Sequence, residues 1–550
     1  MVSNLILHFL MQNVGRKIKQ LLGKESTHLL ILLLVSIFTT SLAINYGLLD
    51  AGFVYGNLAA SVLVDQNGKI TAFSLSSNVE HHYIIVDVRL PRLIPVLLAV
   101  FLHKMTGLPY SELYYYPLTG IILPLIAYIV AKRLLSSSVH ALIYGLVVAF
   151  EPQALGRNYN MNIQGFGFLF FFIIILLYQG ILNNRSRKLL CLLFLFVLTI
   201  PFTYYSTEFF AFLFFTIILL LSLMDKVFKQ SFSKFGHYAM NLALLSAISM
   251  MLFETLITNL VGFYGENVIP STNPYQTIAQ SIRDFTSTFS FTGPSRSMDT
   301  TFTRISNLLY PILVIIPILY FLFFYCGKKP EKNLTFCYAL LLIAITESLT
   351  YLLISGELYR RSFYFILPLG SLLAIEGITK NRLAKYWKVA LLAVILLRFT
   401  IYMSEEYGYY ALDRDYFNVN LYDYANIIKF AGGNQSRIEF LSDTIAIGRI
   451  AFASAMAGEF DEVFVCSYKS FTSSKFLYES NERTLREFLE TYGSEINHII
   501  TWPDVNRRFP GSKVSEIFPP IRDNLNNLLE IPTVNLIYSG SEVIWIKYSS

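Results

Sequence analysis

The chain has 550 residues, of which 54% are hydrophobic and only 15% charged, with a formal net charge of +6. Soluble globular chains carry about 25% charged residues, so a single water-solvated fold is excluded and lipid must be the solvent for much of the chain. The positive balance does not point to nucleic acid, because the bases cluster between apolar runs and no basic stripe with interleaved aromatics offers a phosphate track. Cys191, Cys326, Cys337 and Cys466 form no CxxC pair and no zinc spacing, which argues against a disulfide framework or a metal knuckle.

A spanning helix needs about 20 apolar residues. The first long run is His28–Tyr46, preceded by Arg16, Lys17, Lys19 and Lys24, with no further base until Lys69. The positive-inside rule therefore places the N-terminus in the cytoplasm. Residues 2–22 mix apolar side chains with bases and read as an interfacial helix. A cleavable signal peptide ending at "SLA" is the other reading of the first run; its basic region is long for that, and a retained anchor fits better. Leu93–His103 is short and contains Pro95, which suits a helix lying at the interface.

Further runs follow at 114–131, 138–155, 165–182, 189–205, 208–224, 238–262, 307–325, 334–354, 363–378 and 389–403. If Leu93–His103 does not span, five basic loops fall on the cytoplasmic side. They carry Lys132 and Arg133; Arg185, Arg187 and Lys188; Lys226, Lys229 and Lys234; Lys328, Lys329 and Lys332; and Lys380, Arg382, Lys385 and Lys388. The expected architecture is a polytopic α-helical bundle of about eleven spans over residues 1–403, with two large external loops at 47–113 and 263–306. The runs 138–155 and 189–205 are short and are expected to be tilted or broken.

Residues 404–550 change character, with frequent charges and apolar runs of strand length. "RIEFL" (437–441), "EVFVC" (462–466), "NHIIT" (497–501), "VNLIYS" (534–539) and "EVIWIKY" (542–548) read as strands, with helical patterns near 444–457 and 482–492. The alternation predicts a small extracytoplasmic α/β domain. Gly540-Ser541 between the last two strands is a hairpin signal. Ser442, Asp443 and Thr444 sit where a strand gives way to a helix; an ordinary N-cap is the preferred reading over an anion site.

Ionisable residues inside apolar runs cost about 2.5–3.5 kcal/mol each on insertion scales, so each raises a functional question. Here they gather at one depth, near the outer headgroups. Asp50 follows the first span; Glu151 and Arg157 flank the outer end of 138–155; Glu208, Glu254 and Glu347 lie in outer portions of their runs. Arg360 and Arg361 follow the exit of 334–354, and Arg398 is in the outer half of the last run; Glu376 alone lies near an inner end. Such a layer suits chemistry on an outward-facing lipid headgroup. Arg157, Arg360 or Arg361 would match a phosphate leaving group, and Asp50 would serve as general base toward an acceptor. Mutual pairing, or snorkelling to the headgroups, accounts for any one of these residues equally well.

The layout resembles the GT-C glycosyltransferases, multi-span enzymes that use polyprenyl-phosphate-linked sugars and include protein O-mannosyltransferases and lipid A aminoarabinose transferases. "NYGLLDAGFVYGNLAASVLVDQNGKI" (45–70) is similar to the start of their first external loop, with Asp50 at its essential acidic position. "RLPRLIPVLLAVFLHKMTGLPYSELYYYPLTGIILPLIAYIVAKRL" (89–134) is similar to the surface helix, turn and second span that follow. "RRSFYFILPLGSLLAIEG" (360–377) resembles a late segment whose arginine binds the donor phosphate, a role that would fall to Arg360 or Arg361. The resemblance implies inverting transfer of a hexosyl or pentosyl group from a polyprenyl-phosphate donor to an extracytoplasmic acceptor, by an integral plasma-membrane protein.

The chain also departs from that pattern. Asp50 is followed by Ala51, not by the Glu of protein O-mannosyltransferases. "PQALGRNYNMNIQG" (152–165) offers asparagines where oligosaccharyltransferases have a second acidic motif, and their WWDYG motif is absent. A metal-independent monosaccharide transferase fits best, and no cofactor is expected. Glu80, His81 and His82 are the only potential metal group in the first loop, but adjacent histidines share no face and a third ligand is lacking. His81 and Asp87, with Glu151, Glu254 and Glu347, are expected around the pocket. A transporter, or a scaffold whose tail binds a partner, are the competing readings. Neither accounts for the off-centre polar layer, and no self-similarity between halves supports the transporter.

Overall fold

The computed structural model describes residues 25–45, 51–68, 93–113, 118–135, 137–150, 163–184, 186–203, 205–228, 238–253, 384–410, 421–432, 438–442, 463–467, 498–501, 529–539 and 544–548. It also describes positions within 309–319, 340–343, 369–375 and 450–457, and residue 527. The described elements start with α1 (Glu25–Asn45), α2 (Ala51–Asn67), α3 (Leu93–Thr106) and the short α4 (Tyr110–Leu113). Then come α5 (Leu118–Leu134), α6 (Ser138–Phe150), α7 (Ile163–Asn184), α8 (Arg187–Thr199), α9 (Tyr205–Phe228) and α10 (Ala239–Phe253). The long α11 (Ala384–Tyr410) and α12 (Leu421–Gly432) lead into five strands.

Two described stretches, Glu25–Leu42 and Gly165–Asn183, are long and apolar enough to cross a membrane by themselves. The shorter apolar helices Ser138–Phe150, Phe209–Leu223 and Ala239–Met251 pack around them. Helix starts and stops follow local chemistry. Ser186 caps α8, its hydroxyl accepting from the Leu189 amide at 3.5 Å. The helix stops at Thr199 and tightens into a 3-10 turn, Ile200–Phe202, which contains Pro201. Proline has no N–H to continue the α-ladder, so the run at 189–205 is broken as its length suggests.

The described core is built from aliphatic and aromatic side chains of α5 to α10, joined by Leu32 of α1 and by Leu391, Val394 and Ile395 of α11. Phe171, Tyr178, Phe210, Phe214 and Phe215 interlock between α7 and α9, with ring centroids 5.4–6.1 Å apart. Tilted and edge-on pairs of this kind add about 0.5–1.5 kcal/mol each beyond area burial. Helix α1 lies against α5 and α6. It closes tightly at Gly145, where an added Cβ would come within 2.8 Å of a Leu32 methyl.

Several helix ends meet at one level. Glu25, opening α1, pairs with Lys132 at the end of α5 at 2.5 Å. His140, near the start of α6, accepts from Lys388, near the start of α11, at 2.5 Å. Further along the same two helices, ten residues past His140 and eleven past Lys388, Phe150 and Phe399 pack edge-on at 5.3 Å. Helices α6 and α11 therefore run parallel, and α5 runs opposite to α1. The Trp387 indole donates to the Leu313 carbonyl at 2.9 Å. That contact brings Leu313 close to the Lys388 level, whereas the sequence reading puts it toward the opposite face. Hydropathy marks where a chain is apolar, not how far along the bundle it slides.

The strands are β1 (Ile438–Ser442), β2 (Val463–Ser467), β3 (His498–Thr501), β4 (Val534–Ser539) and β5 (Ile544–Tyr548), in the sheet order β2-β1-β3-β5-β4. Strand β1 is parallel to both β2 and β3, and β5 is antiparallel to β3 and β4. The parallel pair demands a crossover, and helical positions at 450, 452, 453 and 455–457 fall within it. All five strands form within two residues of their expected starts. The hairpin differs in detail: Ser539 pairs with Ile544, leaving 540–543 as the connection, with an irregularity between Leu536 and Tyr538. The helical pattern expected at 482–492 lies outside the described residues.

Candidate functional site

The first external loop is read as the acidic start of the site, and the structure describes two of its helices as a packed pair. Helix α2 begins at Ala51, directly after Asp50. Its inner face, Ala60 and Val64, packs on Val96 of α3, and Ser61 donates to the Val96 carbonyl at 3.4 Å. The two helices end in left-handed glycines, Gly68 at φ 63° and Gly107 at φ 70°. Only glycine takes that conformation without strain. The Gly107 amide closes α3 onto the His103 carbonyl at 2.8 Å, and Thr106 Oγ1 accepts from the Leu108 amide at 3.2 Å. The turn that the resemblance puts after this surface helix is therefore a built C-cap at Thr106–Leu108.

The outer face of α3 is apolar and exposed. Leu97, Phe101 and Met105 lie along it, with Phe101 57% and Met105 69% exposed. The spacing of four residues stacks them on one side of the helix. A stripe of this kind beside Lys104 and His103 is the pattern of a helix lying in the headgroup boundary.

A polar cluster crosses the far end of this pair. Asp65 of α2 accepts from Lys104 of α3 at 2.7 Å, and His103 Nε2 lies 3.9 Å from the same carboxylate. His103 Nδ1 donates to the Leu108 carbonyl at 2.7 Å, and its ring stacks on Tyr110 with centroids 4.4 Å apart. Lys104 holds the Asp65 carboxyl below the usual carboxylate range, against the opposing effect of partial burial. Burial, and next the Asp65 carboxylate, holds the Tyr110 phenol well above its ordinary value. The cluster fixes two helices together and leaves most of Lys104 in solvent. No sequence signal pairs Asp65 with residues so far along the chain; only the packing of α2 on α3, with their C-terminal ends together, does.

Asp50, Arg157, Arg360, Arg361, Glu151, Glu254, Glu347, His81 and Asp87 all lie outside the described residues, as do Glu80, His82 and Glu376. Arg398, which the sequence reading puts at the same level, is described and is only 6% exposed. It sits beside Phe399, whose ring meets Phe150 at the end of α6. The turn of α11 carrying Arg398 is therefore level with the helix end that leads into Glu151. Among the described residues no group of three His, Cys, Asp or Glu side chains is placed to hold a metal ion.

No family model matches this chain, and no curated protein does. Among solved structures, the chain is similar to ArnT from Cupriavidus metallidurans bound to undecaprenyl phosphate. That likeness has 11% identity, a TM-score of 0.46, and coverage of 95% of this chain and 98% of that one. The apo form of the same protein gives 10% identity and a TM-score of 0.37, covering 94% and 97%.

Proposed function

We propose that this chain is a membrane glycosyltransferase. It moves a hexosyl or pentosyl group from a polyprenyl-phosphate donor to an acceptor on the extracytoplasmic side. The observation that carries the reading is the form of the first external loop. A packed helix pair begins at Ala51, one residue after Asp50, and presents an apolar, exposed stripe along α3. A loop of that kind would suit an acid acting on a lipid-borne headgroup. The level shared by Arg398 and the end of α6 lends support, because cationic side chains at that depth suit a phosphate.

In the proposed reaction the Asp50 carboxylate takes the proton of the acceptor hydroxyl or amide. The acceptor heteroatom bonds to the anomeric carbon from the face opposite the phosphate. The carbon–oxygen bond to phosphate breaks, and its electron pair leaves with polyprenyl phosphate. Arg360 or Arg361, with Arg157, would hold that leaving group. Topology follows the same reading, with the N-terminus cytoplasmic and the sheet extracytoplasmic.

The test is release of polyprenyl phosphate from polyprenyl-phosphate mannose by purified protein in nanodiscs. General-base catalysis contributes roughly 10²- to 10⁴-fold, so Asp50→Asn should lower turnover by at least about a hundredfold with an unchanged thermal transition. Undiminished turnover in Asp50→Asn would remove Asp50 from the mechanism.

A further inference from the structure

Two adjacent residues at the end of α2 are held by different parts of the chain. Asp65 is held within the loop, by Lys104 of α3. Gln66 is held from the C-terminal region: its side-chain amide donates to the Ala455 carbonyl at 3.1 Å, across 389 residues of sequence. Ala455 belongs to the crossover between β1 and β2. In that crossover Ile450, Phe452, Ala453 and Ala455 are buried while Met456 is exposed. The acceptor is therefore a backbone group on a packed segment, not a loose surface loop.

We infer that the C-terminal sheet region braces the first external loop through Gln66, which acts as a positioning residue for Asp50. The catalytic consequence rests on the proposed glycosyl transfer. The brace itself does not depend on it. Helix α2 is roughly 25 Å long at 1.5 Å per residue, and a helix transmits tilt along its whole length. Anchoring one end on a folded sheet fixes the direction of the other end, which begins at Ala51, one residue after Asp50. Catalytic groups need placement within about 0.5 Å and 10–20°, so a small swing of α2 matters to chemistry and little to stability. Gln66 itself touches no reacting atom in this account.

The experiment uses full-length protein in nanodiscs with polyprenyl-phosphate mannose as probe. A net hydrogen bond contributes about 1 kcal/mol, close to a factor of five. Gln66→Ala should therefore lower kcat by up to about fivefold. Ala455→Arg, which forces a long cation into a fully buried position, should lower it further. Donor KM should be unchanged in Gln66→Ala, and the tryptophan-reported melting of the C-terminal region should stay as in the parent. In a cysteine-free background, Gln66→Cys with a cysteine at the exposed neighbour of Ala455, Met456→Cys, joined by a short bis-maleimide, should restore kcat where each single cysteine does not. Parental kcat in both Gln66→Ala and Ala455→Arg, or failure of the pair to cross-link in the membrane, would overturn the brace. Efficient cross-linking of a protein that releases no polyprenyl phosphate would sustain the brace and sink the glycosyl-transfer reading instead.

Discussion

His498 shows how one side chain can carry a pH dependence. Its Nδ1 accepts a hydrogen bond from the buried Trp545 indole at 2.9 Å. Burial, and next the nearby Lys547, push its pKa down to about 4. A protonated Nδ1 would have no lone pair for the indole, so the fold selects the neutral ring. In the unfolded chain the ring titrates near the ordinary value of about 6.5. Between these two values the unfolded state binds more protons, so stability falls as pH falls from about 6.5 toward 4 and is level above that window. Tryptophan-monitored melting of the C-terminal region should show this loss. His498→Asn, which keeps an acceptor without a titrating ring, should flatten it; an unchanged slope would rule the residue out. Nothing in "NHIIT" distinguishes this histidine from a solvent-exposed one. Its partner lies on β5, and only strand pairing brings the two together. The same holds for Asp65 and Lys104, whereas the charge pattern alone singled out Asp50 and the arginines.

At the scale of elements the sequence is most legible where local chemistry decides. The cap at Ser186, the break at Pro201 and the Thr106–Leu108 turn all follow from residue type, and the helices and strands appear close to their apolar runs. Contacts between elements are less visible. Gly145 shows no special signal in "IYGLVV", yet it is the point where α1 presses onto α6 against the fully buried Leu32. Small residues let helices approach closely in membranes, and overpacking a tight contact costs about 1–3 kcal/mol. Gly145→Leu should lower the melting temperature of the purified protein, and an unaltered value would show that Leu32 yields freely. The sheet gives a second case. Trp545 is 1% exposed and fills the space between His498 and Phe430. Trp545→Ala should destabilise the C-terminal region by about 3–5 kcal/mol, read by chemical denaturation followed through the sheet's circular dichroism.

Across the whole molecule, the meeting of helix ends constrains the path of the chain. Glu25, Lys132, His140 and Lys388 collect at one level, as they should if the basic loops share a face. The Gln66–Ala455 bond adds a parity condition: loop and sheet share a side, so an even number of crossings separates them. Ten expected runs after the first loop satisfy that condition. The proposed topology predicts that a membrane-impermeant maleimide labels Gln66→Cys and Glu530→Cys in intact cells. Ser186→Cys should label only after permeabilisation, and labelling of Ser186→Cys in intact cells would invert the arrangement.

By itself the sequence determined that the chain carries long apolar runs suited to lipid, and roughly where most of the described helices and strands lie. Those properties are local or one-dimensional: transfer free energy, capping chemistry and the order of bases along the chain. Only the tertiary structure decided that α2 is clasped by α3 on one side and by the sheet region on the other, that α6 and α11 run parallel, and that His498 is kept neutral. Each of these depends on partners tens or hundreds of residues apart. Their pairing is set by which surfaces pack, a property that no window of sequence contains.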